Sequence, residues 1–250
     1  MVSSLILAVR FLTVVPVPGR EVDLREALGR AAWWFPVVGL ALGIVLTATD
    51  WALQAVVSPM LAAVLVLAIW KAATGAIHLD GLADCLDGLG GHDRVQRLAI
   101  MQDSRIGVFG AVGLTFYLLI AFVGLAETPA GVRGRLLLLA PVIGRLAPLL
   151  IAPRFSAAKP DDGSGAAFLR ALSPWAGLVH LAAVAALSAW LLGPWGPAMI
   201  LASVLVALLW TAFLAERLGG ITGDVLGSVI ELSELAILLQ GASLARSAAV

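Results

Sequence analysis

Residues 107–126 contain no charged side chain, and this run constrains the chain more than any other feature of its sequence. A helix needs roughly 20 apolar residues to cross the ~30 Å hydrocarbon core of a bilayer. The composition agrees, since 61% of the residues are hydrophobic, 13% are charged and the mean hydropathy is +1.01. Soluble domains carry about a quarter of their residues as charges. The sequence therefore predicts an all-α integral membrane protein with several transmembrane helices.

Candidate spans cover residues 35–57, 60–77, 107–126, 136–152, 175–193, 197–215 and 225–240. The last contains Glu231 and Glu234, so we expect six full spans and a partly inserted C-terminal helix in one polytopic bundle. The sequence shows no repeats of solenoid type and no low-complexity linker, and we interpret the whole chain, 1–250, as a single domain. Its apolar start, divided by Arg10 and followed by Pro16 and Pro18, is typical of a helix at the membrane surface rather than of a signal peptide.

Positively charged residues are distributed unevenly between the connections, and by the positive-inside rule they predict the orientation. One side carries eleven: Arg10, Arg20, Arg25, Arg30, Arg94, Arg97, Arg105, Arg154, Lys159, Arg170 and Arg217. The other carries three: Arg133, Arg135 and Arg246. The N-terminus and the polar stretches 78–106, 153–174 and 216–224 are therefore expected in the cytoplasm. The net charge is zero and no basic block occurs, so nucleic acid is not an expected partner.

Three aspartates, Asp80, Asp84 and Asp87, form the densest group of charges in the sequence. Their spacing of i, i+4 and i+7 confines them to an arc of roughly 60° on a helix. Carboxylates so close together favour a bound cation, and Mg²⁺ prefers oxygen ligands and bridges to substrate phosphates. We predict a metal site here, with a solvated acidic helix face as the alternative. The preceding His78 is either a proton carrier or a structural histidine near the headgroups.

A second polar group, Asp103, Ser104 and Arg105, precedes the charge-free run. Ser104 is placed to cap the following helix, which would leave amide groups free for an anion. Arg105 offers a planar guanidinium that matches phosphate oxygens. A phosphate-binding helix start and a simple cap with a positive-inside anchor explain this segment equally well.

The third polar group consists of Gly223, Asp224, Glu231 and Glu234. Its three carboxylates share one helix face over roughly 120°. Carboxylates within an apolar run are costly in lipid and must face the bundle interior or a cavity. We predict a functional role for this group. The alternative is a buried structural pair in which Arg145 or Lys71 neutralises the glutamates.

Several ordered blocks carry a resemblance to a known family. They are Arg10-Phe11-Leu12-Thr13 with Pro16 and Pro18; Phe35-Pro36-Val37-Val38-Gly39 with Gly43; His78-Leu79-Asp80-Gly81-Leu82-Ala83-Asp84 with Asp87-Gly88; Met101, Asp103-Ser104-Arg105, Gly107 and Gly110; Gly144-Arg145; Gly163-Ser164-Gly165 with Phe168; and Gly220, Thr222-Gly223-Asp224, Gly227, Glu231 and Glu234. Together they resemble the cobalamin synthase, or adenosylcobinamide-GDP ribazoletransferase, family over essentially the whole chain. The connection at residues 159–162 departs from the family pattern, which leaves its role open.

The resemblance implies a Mg²⁺-dependent enzyme of the inner membrane that acts late in cobalamin assembly. It would transfer the adenosylcobinamide-phosphate group of adenosylcobinamide-GDP to α-ribazole or α-ribazole 5′-phosphate and release GMP. Asp84 or Asp103 would take the proton of the attacking group. Substrate-binding residues would be Arg105, Ser104, Arg145, Gly223, Asp224, Glu231 and Glu234. Membrane lipid, a second copy of the chain or other corrinoid-assembly enzymes are further expected partners.

Two other classes of membrane protein share some of these features. CDP-alcohol phosphotransferases also set aspartates on membrane helices around Mg²⁺, but their pattern requires Ala-Arg soon after Asp-Gly. Here Asp80-Gly81 is followed by Leu82-Ala83-Asp84, so that pattern fails. A proton-coupled transporter would place charges near the bilayer midplane and often shows inverted repeats, whereas the charges here cluster towards one surface.

Overall fold

The structure, a computed structural model, describes residues 2–18, 24–159 and 163–247 and is almost entirely helical. Its helices are α1 (Val2–Leu12), α2 (Leu24–Ala31), α3 (Phe35–Gln54), α4 (Pro59–Ala73), α5 (Ile77–Gly88), α6 (Arg94–Ile100), α7 (Val108–Ala126), α8 (Ala130–Ile151), α9 (Ser164–Ala171), α10 (Pro174–Leu192), α11 (Trp195–Leu218) and α12 (Gly223–Ser247). In these ranges the extended backbone pairs at a single parallel bridge, between Ala157 and Ile221.

Six helical segments are long and apolar enough to cross a bilayer, which confirms the all-α polytopic prediction. They are Ala27–Gln54, Val108–Ala126, Ala130–Arg154, Pro174–Leu192, Trp195–Leu218 and Gly223–Ser243. The sequence predicted partial insertion of the C-terminal helix, but the last of these segments is as long as a full span and could cross completely. Glu231 and Glu234 do not prevent this, since cationic side chains inside the bundle neutralise them.

The prediction of one straight span over residues 60–77 is wrong, because the helix breaks after Ala73. Helix α4 ends at Ala73, and α5 leaves it at an angle of 89°. Gly75 and Ala76 have φ values of 61° and 54°. A left-handed backbone cannot continue an α-helix, so two such residues in succession end it. The broken pair α4–α5 replaces the straight span, and α5 occupies the start of the predicted polar stretch.

The three polar stretches meet at one end of the bundle, which we call the polar end. Arg94 of α6 donates a hydrogen bond of 2.7 Å to the carbonyl of Ala158. The Ala158 amide donates to the Ile221 carbonyl at 2.9 Å, and the Ile221 amide donates to Ser156 at 2.8 Å. These contacts join the connections after α5, α8 and α11. The broken pair therefore carries the chain across the bundle once, as the predicted order of spans requires.

Helix α8 forms the centre of the bundle and is buried along most of its length. Gly39 and Gly43 let α3 approach it closely: a Cβ atom added at Gly39 would lie 2.5 Å from the carbonyl oxygen of Pro141. Small residues at this spacing permit close packing of membrane helices. Arg133 of α8 was counted as a connecting residue in predicting the orientation. The structure instead buries it, with its Nη2 atom 2.5 Å from a carboxylate oxygen of Asp50. The count becomes eleven basic residues on the predicted cytoplasmic side and two on the opposite side.

Candidate functional site at the polar end

Four aspartates gather at the polar end, where α5 crosses the start of α12. Asp80, Asp84 and Asp87 lie on α5 as the spacing predicts, and Asp224 lies in the first turn of α12. The helices touch at Gly81, where an added Cβ would lie 2.9 Å from both Cα and the carbonyl oxygen of Asp224. Asp80 is exposed, while the other three carboxylates are half-buried. The charges of Asp80, Asp87 and Asp224 all act on Asp84, so the site concentrates negative charge.

Replacing Gly81 by alanine should separate the two helices that build this cluster. The added methyl group would meet backbone atoms, which cannot move aside as a flexible side chain can. We expect Gly81→Ala to lower the free energy of unfolding by about 1–3 kcal/mol, measured by thermal and SDS-induced unfolding in detergent. Gly131→Ala is the matched control, because a Cβ there meets no atom within 4 Å. Equal stability of the two variants would contradict the close contact.

Asp87 caps helix α7, a role that sequence spacing did not predict. One of its oxygens accepts the Gly107 amide at 2.7 Å and the other accepts the Gly110 amide at 2.8 Å. The prediction that Ser104 caps this helix was wrong: α7 begins at Val108, and the exposed Ser104 lies before it in the connection. The amides expected to be free for an anion are thus occupied by a carboxylate. Asp87 as a metal ligand stays a prediction.

The aspartates do not form a closed metal cage by themselves. Among the described residues, no three histidine, cysteine, aspartate or glutamate side chains converge tightly enough to hold an ion. Asp87 is turned towards α7, and mutual repulsion keeps unneutralised carboxylates apart. Mg²⁺ commonly uses one or two carboxylates and completes its shell with water and substrate phosphates. The donor set is therefore one that a metal–phosphate complex would complete.

Asp103 and Arg105 pair with each other in the exposed connection before α7. The Arg105 Nη2 lies 2.6 Å from the Asp103 carboxylate, and the Arg105 side chain is 86% exposed. Hydrogen bonds from the Arg105 side chain and backbone amide lower the pKa of Asp103 to about 2. A carboxylate with so low a pKa is a weak proton acceptor near neutral pH. Of the two predicted bases, Asp84 is therefore the better placed.

Glu231 and Glu234 lie in a buried network of charges on the inner side of the cluster. Lys71 Nζ is 2.5 Å from Glu231 and 3.2 Å from Glu234, and Arg145 pairs with the other oxygen of Glu234. The Tyr117 hydroxyl donates to Glu231. The exposed fraction of each glutamate and of Arg145 is 1%. The structure thus shows the pairing that the sequence left as an alternative, and substrate contact by these residues stays a prediction.

Two concave spaces flank Asp224, and sequence reasoning missed both. A pocket of about 100 Å³ is lined by Lys159, Gln102, Thr222 and Asp224. A second space, a cleft of about 180 Å³, is lined by His78, Phe168 and Asp224, among others. The first turn of α9 packs closely beside the small pocket, where a Cβ added at Gly165 would lie 2.9 Å from the Thr222 carbonyl carbon. The Gly-Ser-Gly sequence was the one signal that could have pointed to them.

Comparisons with known proteins show similarity to one family over most of the chain. Residues 4–242 match the family described as Cobalamin-5-phosphate synthase. The chain is 38% identical to the adenosylcobinamide-GDP ribazoletransferase of Chlorobaculum tepidum, with 97% of this chain and 96% of the relative covered. It is 40% identical to the enzyme of that name from Pseudomonas paraeruginosa, with 95% and 96% covered. It is 37% identical to the enzyme of that name from Brevibacillus brevis, with 93% of this chain and 94% of the relative covered.

No solved structure shows significant similarity to the chain. The sequence relatives, in contrast, cover 93–97% of the chain. The family match over residues 4–242 includes the clustered aspartates and the buried charge network. The resemblance seen in the motifs is confirmed: the chain belongs to the cobalamin-5-phosphate synthase family.

Proposed function

We propose that the protein is an adenosylcobinamide-GDP ribazoletransferase of cobalamin biosynthesis. The observation that carries this proposal is the convergence of Asp80, Asp84 and Asp224, from two helices, at the polar end between two concave spaces. A concentrated group of carboxylates with a lysine nearby suits a metal-assisted reaction of a diphosphate. The relatives bear the name of that reaction.

The reaction breaks the phosphoanhydride bond of the donor and forms a phosphodiester. A ribose hydroxyl of α-ribazole, or of its 5′-phosphate, attacks the corrinoid-linked phosphorus of adenosylcobinamide-GDP. The bond from this phosphorus to the bridging oxygen breaks, and GMP leaves with both bonding electrons. The family's name specifies a 5-phosphate in the product. With a 5′-phosphorylated acceptor, the nucleophile is therefore a ribose hydroxyl other than the 5′ group.

The donor chemistry of the cluster fits Mg²⁺, because every candidate ligand is a carboxylate oxygen. Asp80 and Asp84 would hold the ion together with Asp224, and Asp87 would fix the end of α5 against α7. When bound, Mg²⁺ offsets the negative charge of the diphosphate and of the departing GMP. Asp84 would accept the proton of the attacking hydroxyl.

Basic side chains around the cluster would bind the phosphates. Lys159 lines the small pocket with Thr222, and its charge acts on Asp224. The connection that departed from the family pattern in sequence thus supplies a cation to the site. Arg105 is highly exposed and, among the described residues, pairs with Asp103, so exchanging that carboxylate for a phosphate requires no change in the core.

The orientation of the bundle follows from its charges. Eleven basic residues in the N-terminal segment and the three polar stretches favour the cytoplasmic side for the polar end, and two remain for the opposite side. We therefore place the site at the cytoplasmic face of the inner membrane. Lipid surrounds the apolar helix faces there, and adenosylcobinamide-GDP and α-ribazole arrive from the cytoplasm.

Release of GMP tests the proposed function directly. Purified protein in detergent should form GMP from adenosylcobinamide-GDP only when α-ribazole or its 5′-phosphate and Mg²⁺ are present, as measured by liquid chromatography. No gradient exists in detergent, so turnover there excludes an obligate transporter. CDP-diacylglycerol and CDP-choline should yield no CMP. Formation of CMP without formation of GMP would instead assign the protein to the CDP-alcohol phosphotransferases.

A further inference from the structure

The larger concave space beside Asp224 has walls of an unusual composition for a phosphate site. This base cleft, as we name it, is lined mainly by apolar side chains, including Phe11, Phe35, Phe168 and Ile230. The Phe35 ring lies 5.9 Å from that of Phe11 in a stacked arrangement and 5.9 Å from that of Phe168. Apolar walls with flat aromatic faces suit a planar ring system and do not suit a charged group.

One polar side chain lies deep in the base cleft and lacks a partner. His78 is 4% exposed, and neither of its ring nitrogens makes a hydrogen bond to any described residue. A buried polar group without a hydrogen bond is costly and rare in folded proteins. His78 is one of the residues that line the cleft, whose other polar side chain is Asp224. We infer that a ligand in this mainly apolar space can supply a hydrogen-bonding atom to the imidazole.

The base of α-ribazole has this chemistry. Dimethylbenzimidazole is a flat, apolar bicycle, and in the riboside it keeps one unsubstituted ring nitrogen, which accepts a hydrogen bond. A neutral imidazole has one donor to offer. Guanine, the other base in the reaction, carries several donors and acceptors, and burial among phenylalanine and aliphatic side chains would leave most of them unpaired.

We propose that the base cleft binds the dimethylbenzimidazole ring of the acceptor, with His78 donating a hydrogen bond to its free ring nitrogen. This inference rests on the proposed function. Gly223 and Asp224 line both the base cleft and the small pocket that contains Lys159. A base held in the cleft therefore places its ribose beside Asp224, and the diphosphate of the donor lies on the side of Lys159. The acceptor enters from one side of the carboxylates and the leaving GMP departs on the other.

Direct binding of α-ribazole tests the proposal without the corrinoid substrate. We expect His78→Leu to weaken the Kd of α-ribazole, measured by calorimetry on the full-length protein in detergent, by about tenfold. The KM for α-ribazole should rise similarly with kcat little changed. His78→Gln keeps a donor and should recover part of the affinity. His92→Leu makes the same substitution at an exposed histidine and should bind normally.

A competition experiment on the unaltered protein keeps the test decisive if His78→Leu does not fold. Guanosine should fail to displace α-ribazole, and benzimidazole riboside, which lacks the two methyl groups, should bind more weakly. Equal binding of guanosine, an unchanged Kd in His78→Leu, or a fall in kcat with unchanged KM would each overturn the proposal. If the unaltered protein forms GMP normally, any of these results refutes the base cleft alone. If the unaltered protein forms no GMP, the proposed function is refuted.

Discussion

Asp84→Asn should reduce GMP formation by roughly a hundred- to a thousandfold, with Asp80→Asn showing a loss of the same kind. Asparagine keeps the shape of the side chain but removes the charge that would hold Mg²⁺ on the diphosphate. At Asp84 it also removes the proposed proton acceptor. Because the ligand set is weakened rather than deleted, the Asp80 variant should need a higher Mg²⁺ concentration for half-maximal rate. Steady-state rates over a Mg²⁺ titration measure both effects.

Asp93→Asn is the matched control for these variants. Asp93 lies in the same connection at the polar end and caps α6 by accepting the Gln96 amide at 2.9 Å. Asparagine is as good a capping residue as aspartate, so stability and activity should be unchanged. If Asp80→Asn and Asp84→Asn turned over normally with the wild-type Mg²⁺ dependence, the metal site would have to lie elsewhere.

Lys71→Met should be the most destabilising single substitution in the buried charge network. The network holds two cations, Lys71 and Arg145, against Glu231 and Glu234. Methionine leaves one carboxylate uncompensated among side chains that are nearly inaccessible to solvent. Breaking a buried pair in this way costs about 3–5 kcal/mol. SDS-induced unfolding in detergent measures the loss as a free energy.

Two comparisons separate this effect from the loss of any ion pair. Arg105→Met breaks an exposed pair and should cost less than about 1 kcal/mol. The double variant Lys71→Met/Glu231→Met returns the network to charge balance, with Arg145 and Glu234 still paired, and should recover much of the stability lost by the single variant. A double variant less stable than Lys71→Met would show that packing around Lys71, rather than charge, determines the effect.

Sequence periodicity was sufficient for most of the fold because the bilayer imposes strict limits on a chain. Residues 107–126 had to form a span, and the structure has α7 there. Asp80, Asp84 and Asp87 share a helix because a local spacing placed them there. What local spacing cannot report is which distant group a side chain meets. Asp87 accepts amides 20 and 23 positions along the chain, and it takes the capping role that was predicted for Ser104.

The break in the second span was missed for a related reason. Hydropathy averages over residues and does not register a backbone that turns at Gly75 and Ala76. The small pocket beside Asp224 was missed because it forms where three connections meet, and polar connections carry no periodic signal. The larger cleft was missed because helices distant in sequence form its walls. The glutamates illustrate the remaining difficulty: the sequence offered Lys71 and Arg145 as alternative partners, and the structure uses both.

The broken span also bears on how the protein is made. Helix α4, at Pro59–Ala73, extends roughly 22 Å at 1.5 Å per residue and is too short to cross the ~30 Å hydrocarbon core. It brings Lys71 into the membrane interior, yet Glu231 is synthesised 160 residues later. Before α12 is synthesised, the nascent chain therefore contains a helix too short to cross the membrane, and the ammonium group of Lys71 on it is not neutralised. Stable insertion of α4 therefore requires α12. Packing of α12 neutralises Lys71 and also brings Asp224 to Asp80 and Asp84. The proposed site thus assembles only when translation is nearly complete.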